Sequence, residues 1–237
     1  EMAGFIDQCA QRCLDVASTP ESSLKQVITP GIDDSAFTAE DFECPGTLAP
    51  SAASVLMKIL YLARCCRFDL LRPVGMLARE ITKWNRACDK RLHRVVSYLY
   101  CTRNKNLEGF VGDPLSECTL MVYRDASHSD DIENSKSTSA AFLALVGSNT
   151  FAPITAICKK QSVISRSSTE SVIVALDIAL LTETLPLITF WEVVCDALYH
   201  APGEEDAQRK RSSKPHRDAP QSGRGRSLTR SNSPARN

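Results

Sequence analysis

The sequence has no Cys-x-x-Cys pair, and its 4 histidines include no two at metal-ligand spacing, so the common structural zinc sites are excluded. It has neither a Gly-x-Ser-x-Gly elbow nor a glycine-rich phosphate loop, which removes two familiar ways of presenting a nucleophile or cradling a phosphate. Charge of one sign is also lacking. The 28 Lys+Arg balance 28 Asp+Glu, so no global basicity draws the chain to nucleic acid. No long apolar run is uninterrupted: the most apolar stretch, Val172 to Cys195, contains Asp177, Glu183, Pro186 and Glu192, and no membrane association is expected from it. No charged, then apolar, then small-residue succession follows Glu1 and Met2, so an intracellular protein, cytoplasmic or nuclear rather than secreted, is expected.

The 237 residues are 43% hydrophobic, enough for a packed core over much of the chain. The 10 cysteines have no pairing pattern, and Cys65 and Cys66 are adjacent, so reduced and partly buried thiols are expected. Cys9 and Cys13 share a helix face, but two thiolates alone do not make a metal site.

Four segments follow from composition and periodicity. Residues 1–49 carry one short helical pattern, Phe5 to Val16, and then a run through Pro20, Pro30, Gly31, Pro45 and Pro50 that suits an extended connector. Residues 50–112 hold three helical patterns. The first, capped by Ser51 or Ser54, turns Val55, Leu56, Ile59, Leu60 and Leu62 inward; the second, with Pro73 in its first turn, runs to Trp84. The third opens at Asp89 and buries Leu92, Val95, Val96 and Leu99, leaving Lys90, Arg91, His93 and Arg94 on its other side. That side is either a solvated basic face or a phosphate-tracking one. In residues 113–200, strand patterns at Thr119–Tyr123, Thr138–Val146 and Phe151–Cys158 are joined by polar turns, the second being Gly147-Ser148-Asn149, which makes a β-meander. An apolar helix, Thr169–Leu185, is expected to stop near Pro186, with a further helix at Leu187–Leu198. Residues 201–237 set Arg209, Lys210, Arg211, Lys214, Arg217, Arg224, Arg226, Arg230 and Arg236 among Ser, Pro and Gly, and a disordered basic tail is expected there.

Several short strings carry a resemblance. Leu60-Tyr61-Leu62-Ala63-Arg64, Arg67-Phe68-Asp69, Lys90-Arg91 and Val96-Ser97-Tyr98-Leu99 resemble, in order, the end of a copia-type reverse transcriptase. That family writes the region as Tyr-Leu, Arg-Pro-Asp and Lys-Arg-(x)n-Arg-Tyr-Leu; Phe68 stands where it usually has Pro. Tyr123-Arg124-Asp125-Ala126, Lys136-Ser137-Thr138-Ser139, Lys159-Lys160-Gln161 and Ser167-Ser168-Thr169-Glu170 resemble the start of the ribonuclease H domain of the same elements. Each string alone is weak, and four in order over some fifty residues are specific. The resemblance, over roughly residues 50–198, is to the C-terminal part of a copia-type (Ty1/copia) retrotransposon Pol polyprotein. It implies a mixed α/β (α+β) chain: a helical, thumb-like segment, then a truncated ribonuclease H-like domain of antiparallel meander plus helix.

The activity implied by the resemblance is cleavage of the RNA strand of an RNA–DNA hybrid with two Mg2+ ions. Several carboxylates must converge to hold such ions about 3.5–4 Å apart, one activating water and the other stabilising the leaving oxygen. Asp125 matches the family's first metal-binding Asp. The family's helix reads Ser-Ser-x-Glu-x-Glu, and counting back from Ala175 sets Val172 where the second ligand, a glutamate, is expected. Glu170 lies two residues away, about 200° round a helix, and is the alternative ligand or else a favourable acid in a first helical turn. For a third ligand the nearest acid is Asp196, inside a helical pattern. The polymerase's Tyr-x-Asp-Asp string is absent; the adjacent pairs Asp33-Asp34 and Asp130-Asp131 lie in turn-like surroundings. His128, close to Asp125, Asp130 and Asp131, offers a weaker metal or general-base reading.

The expectation is a decayed piece of a reverse transcriptase/ribonuclease H polyprotein, catalytically inactive, with Mg2+ an ancestral cofactor only. A second reading is a nucleic-acid-binding protein that uses Lys90, Arg91, Arg94, Lys136, Lys159 and Lys160 together with the Arg/Ser-rich tail, which is either an RNA-binding segment or a frameshift product. A third is an enzyme completed by a partner chain that supplies the missing strand and ligands.

Overall fold

The computed structural model describes residues 2–130 and 134–199. The basic tail beyond His200 and the residue Asp131 lie outside the described residues. Two compact units divide the chain, Glu1–Thr189 and Phe190–Asn237.

In the first unit, helices α1 (Ala3–Ala17), α3 (Ala49–Cys65), α4 (Leu71–Arg79) and α5 (Arg86–Cys101) enclose one core. Their apolar stripes recur at helical spacing: Ile6, Cys9, Ala10 and Cys13 on α1, Val55, Leu56, Ile59 and Leu62 on α3, Leu92, Val95, Val96 and Leu99 on α5. Each fully buried Leu or Ile contributes about 1.5–3 kcal/mol of transfer free energy. Because α1 belongs to this core, residue 49 is not a boundary in the packing. The segment between α1 and α3, including the short α2 (Ala39–Glu43), lies across α5 instead of spanning open solvent.

The helix starts use different residues from those expected. Neither Ser51 nor Ser54 caps α3, which begins at Ala49 with Pro50 in its first turn. The chain entering it is held from another helix: the Asp89 carboxylate on α5 accepts from Thr47 N–H (2.6 Å), the Thr47 hydroxyl (3.0 Å) and the N–H of Leu48, the residue before the helix (3.2 Å), and also from Trp84 Nε1 (2.6 Å). The cap of α5 is Asn85, whose side chain accepts from Cys88 N–H at 3.0 Å. Asp89 therefore joins two helix beginnings rather than opening one.

The sheet is a three-stranded antiparallel meander in the order β1 (Thr119–Ser127), β2 (Thr138–Val146), β3 (Phe151–Lys160). Opposed pairs include Asp125 with Ala140, Tyr123 with Phe142 and Val122 with Leu143. Opposed residues share a face, so the two faces follow from the register. Val122, Ala141 and Leu143 meet Ala179 of helix α6 (Ser168–Ala179). Tyr123, Phe142, Ala156 and Cys158 are turned to the helical core, where the rings of Phe68 and Phe142 pack at 6.2 Å. The chain is thus a mixed helical and antiparallel-sheet protein.

The expected stop at Pro186 does not occur. α6 passes through one wide turn, Leu180–Thr184, into α7 (Leu185–Tyr199), and Ser168–Ala197 is long and apolar enough to cross a membrane. Proline removes one N–H and crowds the carbonyl four residues back; a π turn ahead of it widens the helix at that point. The Thr184 hydroxyl donates to Ala179 O, five residues back, at 3.0 Å. In the first unit this helix buries Ser171, Ala175, Ala179 and Thr184 and exposes Ile173, Leu181, Leu185 and Ile188. The second unit is described over residues 190–199, which are helical.

Candidate functional site

Asp125 sits near the end of β1, exposed, its Oδ1 accepting from the neighbouring Ala126 N–H at 2.8 Å. By the strand register it lies on the face that carries Tyr123 and Phe142. Its neighbour Arg124 lies on the other face and reaches α6, donating to the backbone carbonyl of Val172 at 3.4 Å. Asp125 and the α6 positions are therefore on opposite sides of the sheet.

Glu170 works locally. Ser167, the N-cap of α6, accepts from Glu170 N–H at 3.1 Å, and the Glu170 carboxylate accepts in return from Arg166 N–H at 2.7 Å. This reciprocal arrangement satisfies two amide donors at a helix start. Val172 is half-buried against the sheet. Among the described residues no three His, Cys, Asp or Glu side chains are grouped to hold a metal ion. His128 is exposed in the turn after β1 and Asp196 is exposed on α7.

Two of the strings that carry the resemblance, Lys136–Ser139 and Lys159–Gln161, meet in space at Gln161. Its buried side chain donates to the Ser139 hydroxyl (2.9 Å) and the Ser171 carbonyl (2.8 Å) and accepts from the Ser165 hydroxyl (3.1 Å), while its N–H donates to Ser137 O at 2.8 Å. One amide thereby joins β2, the end of β3 and the first turn of α6. A buried side chain with every polar group engaged fixes how the helix sits on the sheet. The Arg67-Phe68-Asp69 string makes a second knot. Arg67 donates to Asp69 through Nε (3.0 Å) and an Nη atom (2.8 Å), and to the carbonyl (3.2 Å) and hydroxyl (2.7 Å) of Thr102. Tyr98 OH donates to the same carboxylate at 2.9 Å. Burial pushes the Asp69 carboxyl up, but the hydrogen bonds from Arg67 and Tyr98 and the guanidinium charge outweigh it and hold the group below its ordinary range.

The basic side of α5 is already occupied. Lys90 donates to Asp41 at 2.6 Å, Arg91 pairs with Asp34 and stacks over Phe37 at 4.9 Å, and Arg94 donates to Thr29 O at 2.9 Å. Arg86 adds a second cation to Asp41 at 3.0 Å. The hydrogen bond from Lys90 and the Thr38 N–H lower the Asp41 carboxyl to about 2. Asp41 has no signal in the sequence beyond its place in an acid-bearing connector, and Asp34 and Asp89 read there as a turn acid and a helix opener and not as partners of other segments. Of the remaining cations, Lys136 is half-exposed before β2, Lys159 lies opposite Ser139 on the α6 side of the sheet, and Lys160 lies opposite Thr138 on the other side. Arg91, Lys159 and Lys160 line one cavity beside α4, whereas Lys90 and Arg94 are engaged by Asp41 and Thr29 and Lys136 lies before β2.

All ten cysteines are free thiols; burial pushes Cys9 and Cys13 up to about 11. In comparisons with family models, curated proteins and solved structures, nothing matches this chain.

Proposed function

We propose that the chain descends from the junction of reverse transcriptase and ribonuclease H in a copia-type Pol polyprotein, and that it does not cleave RNA in RNA–DNA hybrids. The order of elements supports the descent: a helical segment, a three-stranded antiparallel meander, and a helix packed on one face of it. So does the meeting at Gln161 of two strings that carry the resemblance, Lys136–Ser139 and Lys159–Gln161, with Ser171 directly after a third. The observation that carries the loss of activity is the disposition of Asp125 and α6 on opposite faces of the sheet.

The donor set does not fit a pair of Mg2+ ions. Hard divalent ions need several converging oxygens. Here Val172 offers none, Glu170 caps its own helix and Asp125 faces away from both. Without the ions neither water activation nor leaving-group stabilisation is supplied. A deficit of only ~5 kcal/mol in transition-state stabilisation slows turnover several thousandfold.

The test is hydrolysis of the labelled RNA strand of a hybrid in Mg2+ or Mn2+. The full chain is expected to show none, and Val172→Glu alone is not expected to restore it. Hydrolysis by the unmodified chain that Asp125→Asn abolishes would overturn the reading.

A further inference from the structure

Two cavities adjoin on the helical side of the sheet and share Arg72, Thr138 and Cys158 in their walls. One, of about 490 Å³, is lined by Phe68, Tyr123, Asp125 and Phe142. The small residues Ala140, opposite Asp125, and Ala156, opposite Phe142, leave it open. Phe142 stands between the other two rings, with centroids 6.1 Å from Tyr123 and 6.2 Å from Phe68. The second cavity, of about 550 Å³, lies beside α4 and is lined by Arg72, Arg79, Arg91 and Lys160 among others.

The charges sort into paired and unpaired groups. Arg91 is held by Asp34, and Arg72 meets Asp130 through one 3.2 Å contact, its one ion pair among the described residues. Arg79 makes no ion pair among the described residues; Glu80 is the wall's carboxylate without one. Arg72 and Arg79 are seven residues apart on α4 and so project from one helix face. Gly75, between them, faces β3, with Cys158 O 3.9 Å from where a Cβ would stand, an ordinary contact. At the ring end, Asp125 and the Ser127 and Thr138 hydroxyls supply hydrogen-bonding groups.

An aromatic compartment that continues into a cationic one matches a ligand with a planar ring at one end and an anion at the other. We propose that this groove binds a nucleotide, its base against Tyr123 and Phe142 and its phosphate against Arg72 and Arg79. Aromatic faces accept any base by stacking, and a guanidinium binds phosphate oxygens in a fork. The Asp125 carboxylate in the aromatic compartment disfavours a phosphate there, which sets the polarity of the bound ligand. The proposal stands independently of whether hybrids are cleaved.

The test uses the full chain with AMP, adenosine, inorganic phosphate and a short single-stranded oligonucleotide, followed by calorimetry. AMP is expected to bind, adenosine at least tenfold more weakly, and phosphate to compete with AMP. Arg79→Ala and Tyr123→Ala should each weaken AMP at least tenfold. Arg166→Ala, which removes an exposed cation elsewhere, should leave it unchanged, with the melting temperature of each variant reporting the fold. An oligonucleotide that competes with AMP and loses affinity in the same variants identifies the nucleotide as part of a strand; one that does not compete identifies a free nucleotide. Absence of AMP binding, or binding that Arg79→Ala and Tyr123→Ala leave intact, overturns the proposal.

Discussion

Arg67→Ala should be among the most destabilising single substitutions in the helical core. The Arg67 side chain is 4% exposed and makes four hydrogen bonds, two to Asp69 and two to Thr102. Truncation strands the Asp69 carboxylate and the Thr102 carbonyl, and breaking a buried pair from one side costs about 3–5 kcal/mol. Two features reduce that figure here. Asp69 keeps 37% exposure, so water can rehydrate it, and Tyr98 still donates to it. The expected loss is therefore about 2–3 kcal/mol, and the melting temperature of a domain of this size should fall by about 5–10 °C. Arg67→Lys retains the charge without the fork and should fall between wild type and alanine. A urea titration with constant m-value is the assay, and pH supplies a second axis. The Asp69 carboxyl is held below its ordinary range, so its contribution is present above the unfolded-state value and is lost as pH falls through the folded one. A loss under about 1 kcal/mol in Arg67→Ala would refute the reasoning.

The same linkage applies to Asp41, whose carboxyl is lowered to about 2. Its hold on α5 should be complete above about pH 4 and should weaken as pH falls towards about 2; in Asp41→Asn that acid step should vanish from the amide exchange of residues 38–43. Gly46→Ala places a Cβ 2.5 Å from Trp84 Cδ1 and 2.6 Å from Asn85 O, a clash with backbone that is expected to cost about 1–3 kcal/mol, read from Trp84 fluorescence in urea.

Much of the architecture was legible because it rests on local pattern. The bounds expected for the second strand, Thr138–Val146, match β2 residue for residue, and the Gly147-Ser148-Asn149 turn leads to β3 as expected. The helical stripes of α3 and α5 were readable for the same reason. The misses are long-range. Asp89 holds the chain entering a helix that begins some forty residues earlier, and Asp41 neutralises Lys90 from a similar distance, so no local window contains both partners. Lys90, Arg91 and Arg94 read as one basic face in sequence because the groups that meet them, Asp41, Asp34 and Thr29, lie in a proline-rich stretch with no periodicity. Pro186 reads as a stop because its missing N–H is visible in sequence, whereas the wide turn that accommodates it is not. The relation of Asp125 to α6 depends on which face of β1 the helix covers, and a one-residue change of register reverses it.

The account turns on that last relation, and a Mn2+ titration followed by amide NMR tests it most directly. With Asp125 and α6 on opposite faces, residues 124–126 and 169–173 should share no saturable paramagnetic broadening. Simultaneous, saturable broadening of both segments that Asp125→Asn and Glu170→Gln each abolish would show that they hold a metal in common and would contradict the account.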